Sequence, residues 1–163
     1  MELDSKTAAL MNFAGFALAH GVGGASAGKT LCTMALVQSS REQGLTQYPG
    51  PVGASVAQAK ASTEAVDDMQ RRAIIFDGLV TIGGREQSAV VVEAAWKDHL
   101  TRPLVVLQPY SCSPGGADFV VLGEPLIATA PDEEVATAQR EAVMEGARTH
   151  DEAYAVWMKA LDS

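Results

Sequence analysis

Basic residues are few. Twelve Lys and Arg stand against twenty Asp and Glu, for a formal charge of −8 over 163 residues. Proteins that grip phosphate backbones carry a basic patch, and no basic run here exceeds Arg71-Arg72. Nucleic acid is therefore not the expected partner. Cysteine is scarce as well. Cys32 and Cys112 lie eighty positions apart and form no C-x-x-C pair, which excludes a disulfide framework and reads as reduced, isolated thiols. His20, His99 and His150 are scattered, whereas a zinc site shows closely spaced ligands, so no metal is expected. A long apolar run is missing too. Residues 8–19 are mostly apolar but short and glycine-rich for a bilayer span. Ala25-Ser26-Ala27 mimics a cleavage site, yet Glu2 and Asp4 against Lys6 are the wrong charges for a signal peptide. The expectation is a cytoplasmic chain with no membrane segment and no cleaved leader. Aromatics make up only 6%, so the core must be built from small and branched side chains.

What is present is ordinary globular composition, with 47% apolar and 20% charged residues, enough for one core and against wholesale disorder. Residues 5–20 place Leu10, Ala14, Ala17, Leu18 and Gly21 on one stripe, with Ser5 placed to cap, and predict a buried helix. A glycine-rich turn is expected over 21–28. Residues 30–38 read as strand or helix. A short strand is expected over 44–50 and a helix over 53–70. Four β-rich runs follow at 73–82, 88–96, 104–110 and 119–128. Gly83-Gly84 joins the first two as a hairpin, and the remaining links of about seven and eight residues are too short for parallel crossovers. An antiparallel meander follows. The expected class is α+β: helix, strand or hairpin, helix, four-stranded antiparallel meander, then C-terminal helices, with the helices on one face of the sheet.

The tail differs in charge. Residues 131–163 hold eight acids and three bases, which reads as an acidic helical extension on a domain of residues 1–130. Its charges suit a solvated helical face, with a surface for a basic partner as the alternative. Pro131 and the acids after it suit a helix start, Gly146 is placed to weaken or end that helix, and Thr149 to Glu152 has capping-box spacing. A last helix puts Ala153, Val156, Trp157, Ala160 and Leu161 on one face.

One stretch resembles a chemical motif. Gly23 to Thr30 matches G-x-x-x-x-G-K-[ST] in full, and the run Ala73-Ile74-Ile75-Phe76-Asp77 resembles a Walker B strand. The resemblance is to P-loop nucleoside triphosphatases. It implies backbone N–H groups around Gly23 and Gly28 wrapping the phosphates of Mg-ATP or Mg-GTP, Lys29 on the outer phosphates, and Thr30 with Asp77 at the magnesium. The same loop matches G-x-S-x-G at Gly24-Ala25-Ser26-Ala27-Gly28, the nucleophile elbow of α/β-hydrolases. Both families need parallel strands alternating with helices. The stripe before the loop and the short links after residue 72 point instead to a plain turn without cofactor. The pieces Phe16-Ala17-Leu18-Ala19-His20, Trp96, Leu107-Gln108-Pro109-Tyr110 and Leu122-Gly123-Glu124-Pro125 resemble those of small bacterial proteins without assigned chemistry, which implies no function.

Elsewhere, Glu93, Asp98 and Glu124 fall in or beside strands as carboxylates without a readable pairing. Asp98 with His99 reads as an exposed loop pair, and Arg71-Arg72 as a solvated edge. Trp96, Tyr110, Val156, Trp157 and Leu161 are candidates for a pocket or subunit interface. The apolar stripe of the last helix suggests docking on a second copy, with two-fold pairing the simplest closure. The sequence as a whole favours a non-enzymatic binding or structural module that self-associates as a dimer.

Overall fold

Asp4 starts the first helix, α1 (Ser5–Ala25), by accepting the Thr7 N–H at 2.9 Å, so the cap is one residue ahead of the expected Ser5. The helix then runs through Gly21, Gly23 and Gly24, where a turn was expected. Burial explains the difference. Gly21 sits where a Cβ would lie 2.6 Å from Val90 and 2.8 Å from Ile75, so this glycine lets α1 approach the sheet closely. At 21 residues α1 is long and apolar enough to cross a membrane by length and composition, beyond what the run at 8–19 suggested. Its apolar side chains, from Leu10 to Ala25, face the protein interior.

In the computed structural model, residues 1–28, 30–113 and 118–161 are described. Thr33–Ser39 (β1) and Gln43–Tyr48 (β2) form a hairpin, which settles the strand-or-helix ambiguity near residue 35 in favour of strand. Val52–Glu64 is helix α2. It ends short of the expected residue 70 because Met69 is drawn, buried, into the start of β3 (Met69–Ile82). β3 and β4 (Arg85–Trp96) are joined by the expected hairpin turn, with Gly83 at φ 59° and Gly84 at φ 79°. Both angles are positive, as a two-residue turn matching strand twist requires. β5 (Leu104–Ser111) pairs antiparallel with β4.

The fourth run of the meander is broken. β6 (Val120–Val121) pairs with Tyr110 and Ser111, and β7 (Leu126–Ile127) pairs with Val106 and Leu107. Between them Gly123 takes φ 76° and Pro125 has no N–H to give a ladder, so the chain bows away from β5. The sheet order is β2-β1-β3-β4-β5-β6, with β7 also on β5, and every pairing is antiparallel. The α+β class expected from the sequence is the one observed. One of its parts is corrected: the helices occupy both faces.

Period-two alternation assigns the faces. Met34, Ile75, Val90, Val92 and Val106 turn toward α1 and share its core, together with α3 (Glu133–Arg148) and α4 (Asp151–Leu161). Ala35 and Ile74 turn the other way and pack with Tyr48 and with Ala59 of α2. There Arg72, only 4% exposed, donates to the Lys60 carbonyl and the Thr63 hydroxyl. Arg71 stacks on Phe13 at 4.3 Å and donates to the Ala9 carbonyl. The expected solvated edge at Arg71-Arg72 is thus two packed guanidiniums holding α1 and α2 to β3.

Gly146 does not end α3. A Cβ there would lie 1.8 Å from the Asn12 carbonyl oxygen, and one on Gly15 would lie 1.8 Å from that of Val143. The two glycines let α1 and α3 cross in backbone contact. The tail also turns differently from its expected capping box. Thr149 donates its hydroxyl to the Gly146 carbonyl at 2.6 Å, closing α3. The start of α4 is held by His150, whose Nδ1 accepts the Ala153 N–H at 3.4 Å.

Candidate functional site

The bow between β6 and β7 leaves a groove of about 710 Å³ between that segment, β5 and the facing sides of α3 and α4. Its lining includes Gln108 from β5, Gly123 to Pro125 from the bow, Arg140, Glu141 and Glu145 from α3, and Tyr154, Trp157 and Met158 from α4. The volume is that of a small-molecule site.

Gln108 is completely buried. Its Nε2 donates to the carbonyls of Pro109 and Gly123 at 3.0 and 3.1 Å. Two carbonyls can only accept, so the amide orientation is fixed and Oε1 is the acceptor left over. That Oε1 has no hydrogen-bond partner, and neither has the indole N–H of Trp157, also completely buried. An unmade hydrogen bond in the interior costs about 1–3 kcal/mol, so each of these two orphaned atoms is expensive for the fold. Arg140 closes one end. Its Nε donates to the Pro125 carbonyl at 2.8 Å, and its guanidinium lies 3.8 Å from Glu124 and 3.6 Å from Glu133. Arg148 donates to the Tyr154 hydroxyl at 3.4 Å, a contact that raises its pKa.

A second polar cluster lies at the other side of α4. His20 Nδ1 and His150 Nε2 are 2.9 Å apart, and Phe16 stacks on His150 at 4.8 Å. Because His150 Nδ1 accepts the Ala153 N–H, its Nε2 carries the proton and donates to His20. Burial, with the nearby His150 charge second, pushes the His20 pKa below its ordinary value. No cluster of three or more His, Cys, Asp or Glu suited to a metal occurs among the described residues.

Gly23 lies in the last turn of α1 and its carbonyl accepts from the Ser26 hydroxyl at 2.7 Å. Gly28 follows at φ 77°, and Thr30 is exposed before β1. Lys29 lies outside the described residues. The local order is helix, turn, antiparallel strand, whereas a P-loop runs from parallel strand through loop to helix. Asp77 accepts a hydrogen bond from Tyr110 at 2.9 Å, so the carboxylate of the Walker B-like run pairs with an interface candidate. Burial raises the Asp77 pKa while that hydrogen bond opposes the rise; burial, reinforced by Asp77, also raises that of Tyr110.

Among the interface candidates, Trp157 packs inside its own chain, fully buried with α1 and the sheet. Val156 and Leu161 stay 37% and 42% exposed. Trp96 is partly buried, with Arg71 and Lys6 over its ring at 5.3 and 5.5 Å. Glu93 pairs with Lys60 at 3.1 Å. Gln108, Arg140 and the histidine pair were not singled out. Gln108 left a signal, being a lone polar residue in the run Leu104 to Leu107 and Pro109. The histidines, 130 positions apart, left none. Comparison of the chain with protein-family models, with curated proteins and with solved structures finds no match.

Proposed function

We propose that this chain is a non-enzymatic binding module that holds a small polar molecule in the groove between β5, the β6–β7 bow, α3 and α4. One observation carries this reading: of six buried side-chain atoms without a hydrogen-bond partner among the described residues, two, the donor Trp157 Nε1 and the acceptor Gln108 Oε1, belong to side chains that line this one groove. Natural interiors pair almost all such atoms, and exceptions call for a ligand, a water or a functional cost. The free thiols Cys32 and Cys112 suit a cytoplasmic setting.

Native mass spectrometry of the chain incubated with a bacterial metabolite extract tests this. The reading expects one small molecule retained by wild type and lost in Gln108→Leu and in Trp157→Phe, which each remove one orphaned atom. Retention by both variants, or none by wild type, contradicts it. Self-association belongs to the same proposal but needs another surface, since Trp157 is occupied within its chain. The outer edge of β2 with Leu45, and the β3–β4 arm with Leu79 at 68% and Ile82 at 44% exposure, offer apolar side chains for it. Light scattering should show a dimer that Leu79→Glu makes monomeric; a monomeric wild type refutes it.

A further inference from the structure

Resting on that reading of the groove, we infer that its ligand is an amide-bearing organic cation: a molecule with a protonated amine, a carboxamide and an apolar body. Each part answers a feature of the lining. The carboxamide is the common group that donates and accepts within one plane. An N–H of such a group suits Gln108 Oε1 and its carbonyl suits the Trp157 N–H, the two atoms without partners on side chains that line the groove. A carboxylate could serve Trp157 alone, and an ammonium Gln108 alone.

The positive charge follows from the rim. Four carboxylates line the groove, on Glu124, Glu133, Glu141 and Glu145, against two guanidiniums. Arg140 is already engaged by Glu124, Glu133 and a carbonyl, and is largely buried beneath them. Arg148 bonds Tyr154 and feels the Glu145 charge. Glu141 has no ion pair among the described residues and stands one helical turn from Glu145 on the same face of α3. The field over the groove is therefore negative, on a chain that is itself at −8, and it repels anions while drawing cations. The partly buried ring of Tyr154 adds to the attraction for an ammonium group. Met144 and Met158 give the wall its apolar, adaptable part. Their flexible side chains can shift to admit a group to the floor, which is closed to solvent at both orphaned atoms.

Calorimetry at pH 6 with three probes of one skeleton tests the inference: L-phenylalaninamide, whose α-amine is protonated there; its N-acetyl derivative, neutral; and its N-succinyl derivative, anionic. Wild type should bind the cation at least tenfold more tightly than the neutral amide, and the anion least. The preference should shrink severalfold in Glu141→Gln/Glu145→Gln, and rising salt should erode it. Equal or tighter binding of the neutral or anionic amide overturns the cation assignment and leaves the groove reading standing. Binding of all three that survives both Gln108→Leu and Trp157→Phe overturns the groove reading itself. The absence of saturable heat from every probe overturns the amide assignment, and the extract experiment above then decides the groove separately.

Discussion

His20 shows how burial gives a side chain a pH response, with the neighbouring His150 as the lesser cause. Burial lowers the His20 pKa below 6.5, so under that pH the unfolded chain binds more protons than the folded one. Stability is then full above about pH 6.5 and falls as pH drops toward the lowered folded value. Urea midpoints at pH 5, 6, 7 and 8 should decline below pH 6.5 in wild type and flatten in His20→Gln, whose amide oxygen can still accept from His150. Parallel profiles for the two proteins would contradict this. Asp77 gives a companion case. Tyr110→Phe removes its hydrogen bond and leaves a half-buried carboxylate unpartnered, which should cost about 1–2 kcal/mol in chemical denaturation. A variant as stable as wild type would show the pair to be incidental. Neither pair was legible in the sequence, because long-range neighbours are set by the packing of elements. Gln108 was half legible: an amide inside an apolar strand announces a polar task, though not which atom stays unpaired.

Elements were legible where local rules decide them. The Gly83-Gly84 turn, the short links and the alternation of β3 to β5 fixed an antiparallel meander, because no other geometry closes in so few residues. The glycines misled where tertiary contact overrides propensity. Gly21 to Gly24 read as a turn and are helix; Gly146 read as a stop and is the crossing point with α1. Glycine in a helix is given up for close approach, and the crossing makes a sharp prediction. Gly15→Ala or Gly146→Ala gains about 1 kcal/mol of helix propensity. The forced separation of α1 from α3 should outweigh that, with a net loss of at least ~2 kcal/mol for each. The double variant should lose less than the sum, since one displacement relieves both clashes. Thermal melts followed by circular dichroism read this, and an unchanged melting temperature in both single variants would refute the crossing. The same reasoning governs the Walker-like loop. Residues 23 to 25 are spent on ending α1, so calorimetry with Mg-ATP and Mg-GTP should give no difference between wild type and Lys29→Ala; micromolar binding lost in the variant would restore the nucleotide reading.

At the scale of the molecule, the acidic tail is part of the core it was expected to extend. α4 is only eleven residues long, too short to hold alone, and its Trp157 fills the interior beside α1. Trp157→Ala should cost about 3–5 kcal/mol, read as a drop in the urea midpoint at unchanged slope; a loss under about 1 kcal/mol would show the helix to be dispensable. The sequence pattern showed that this stripe must be buried, and self-docking satisfies it without a second copy. By seating there, α4 forms one wall of the groove and places Trp157, with its unpaired indole N–H, among the lining residues. The most direct measurement is therefore on that proton. The chain has two tryptophans, and a proton–nitrogen correlation spectrum shows one indole signal for each, assigned with Trp96→Phe. On titration with L-phenylalaninamide the Trp157 indole signal should move downfield and saturate as it gains an acceptor, while that of Trp96 stays in place. A Trp157 signal that does not move, or a shift shared equally by both, would contradict the account.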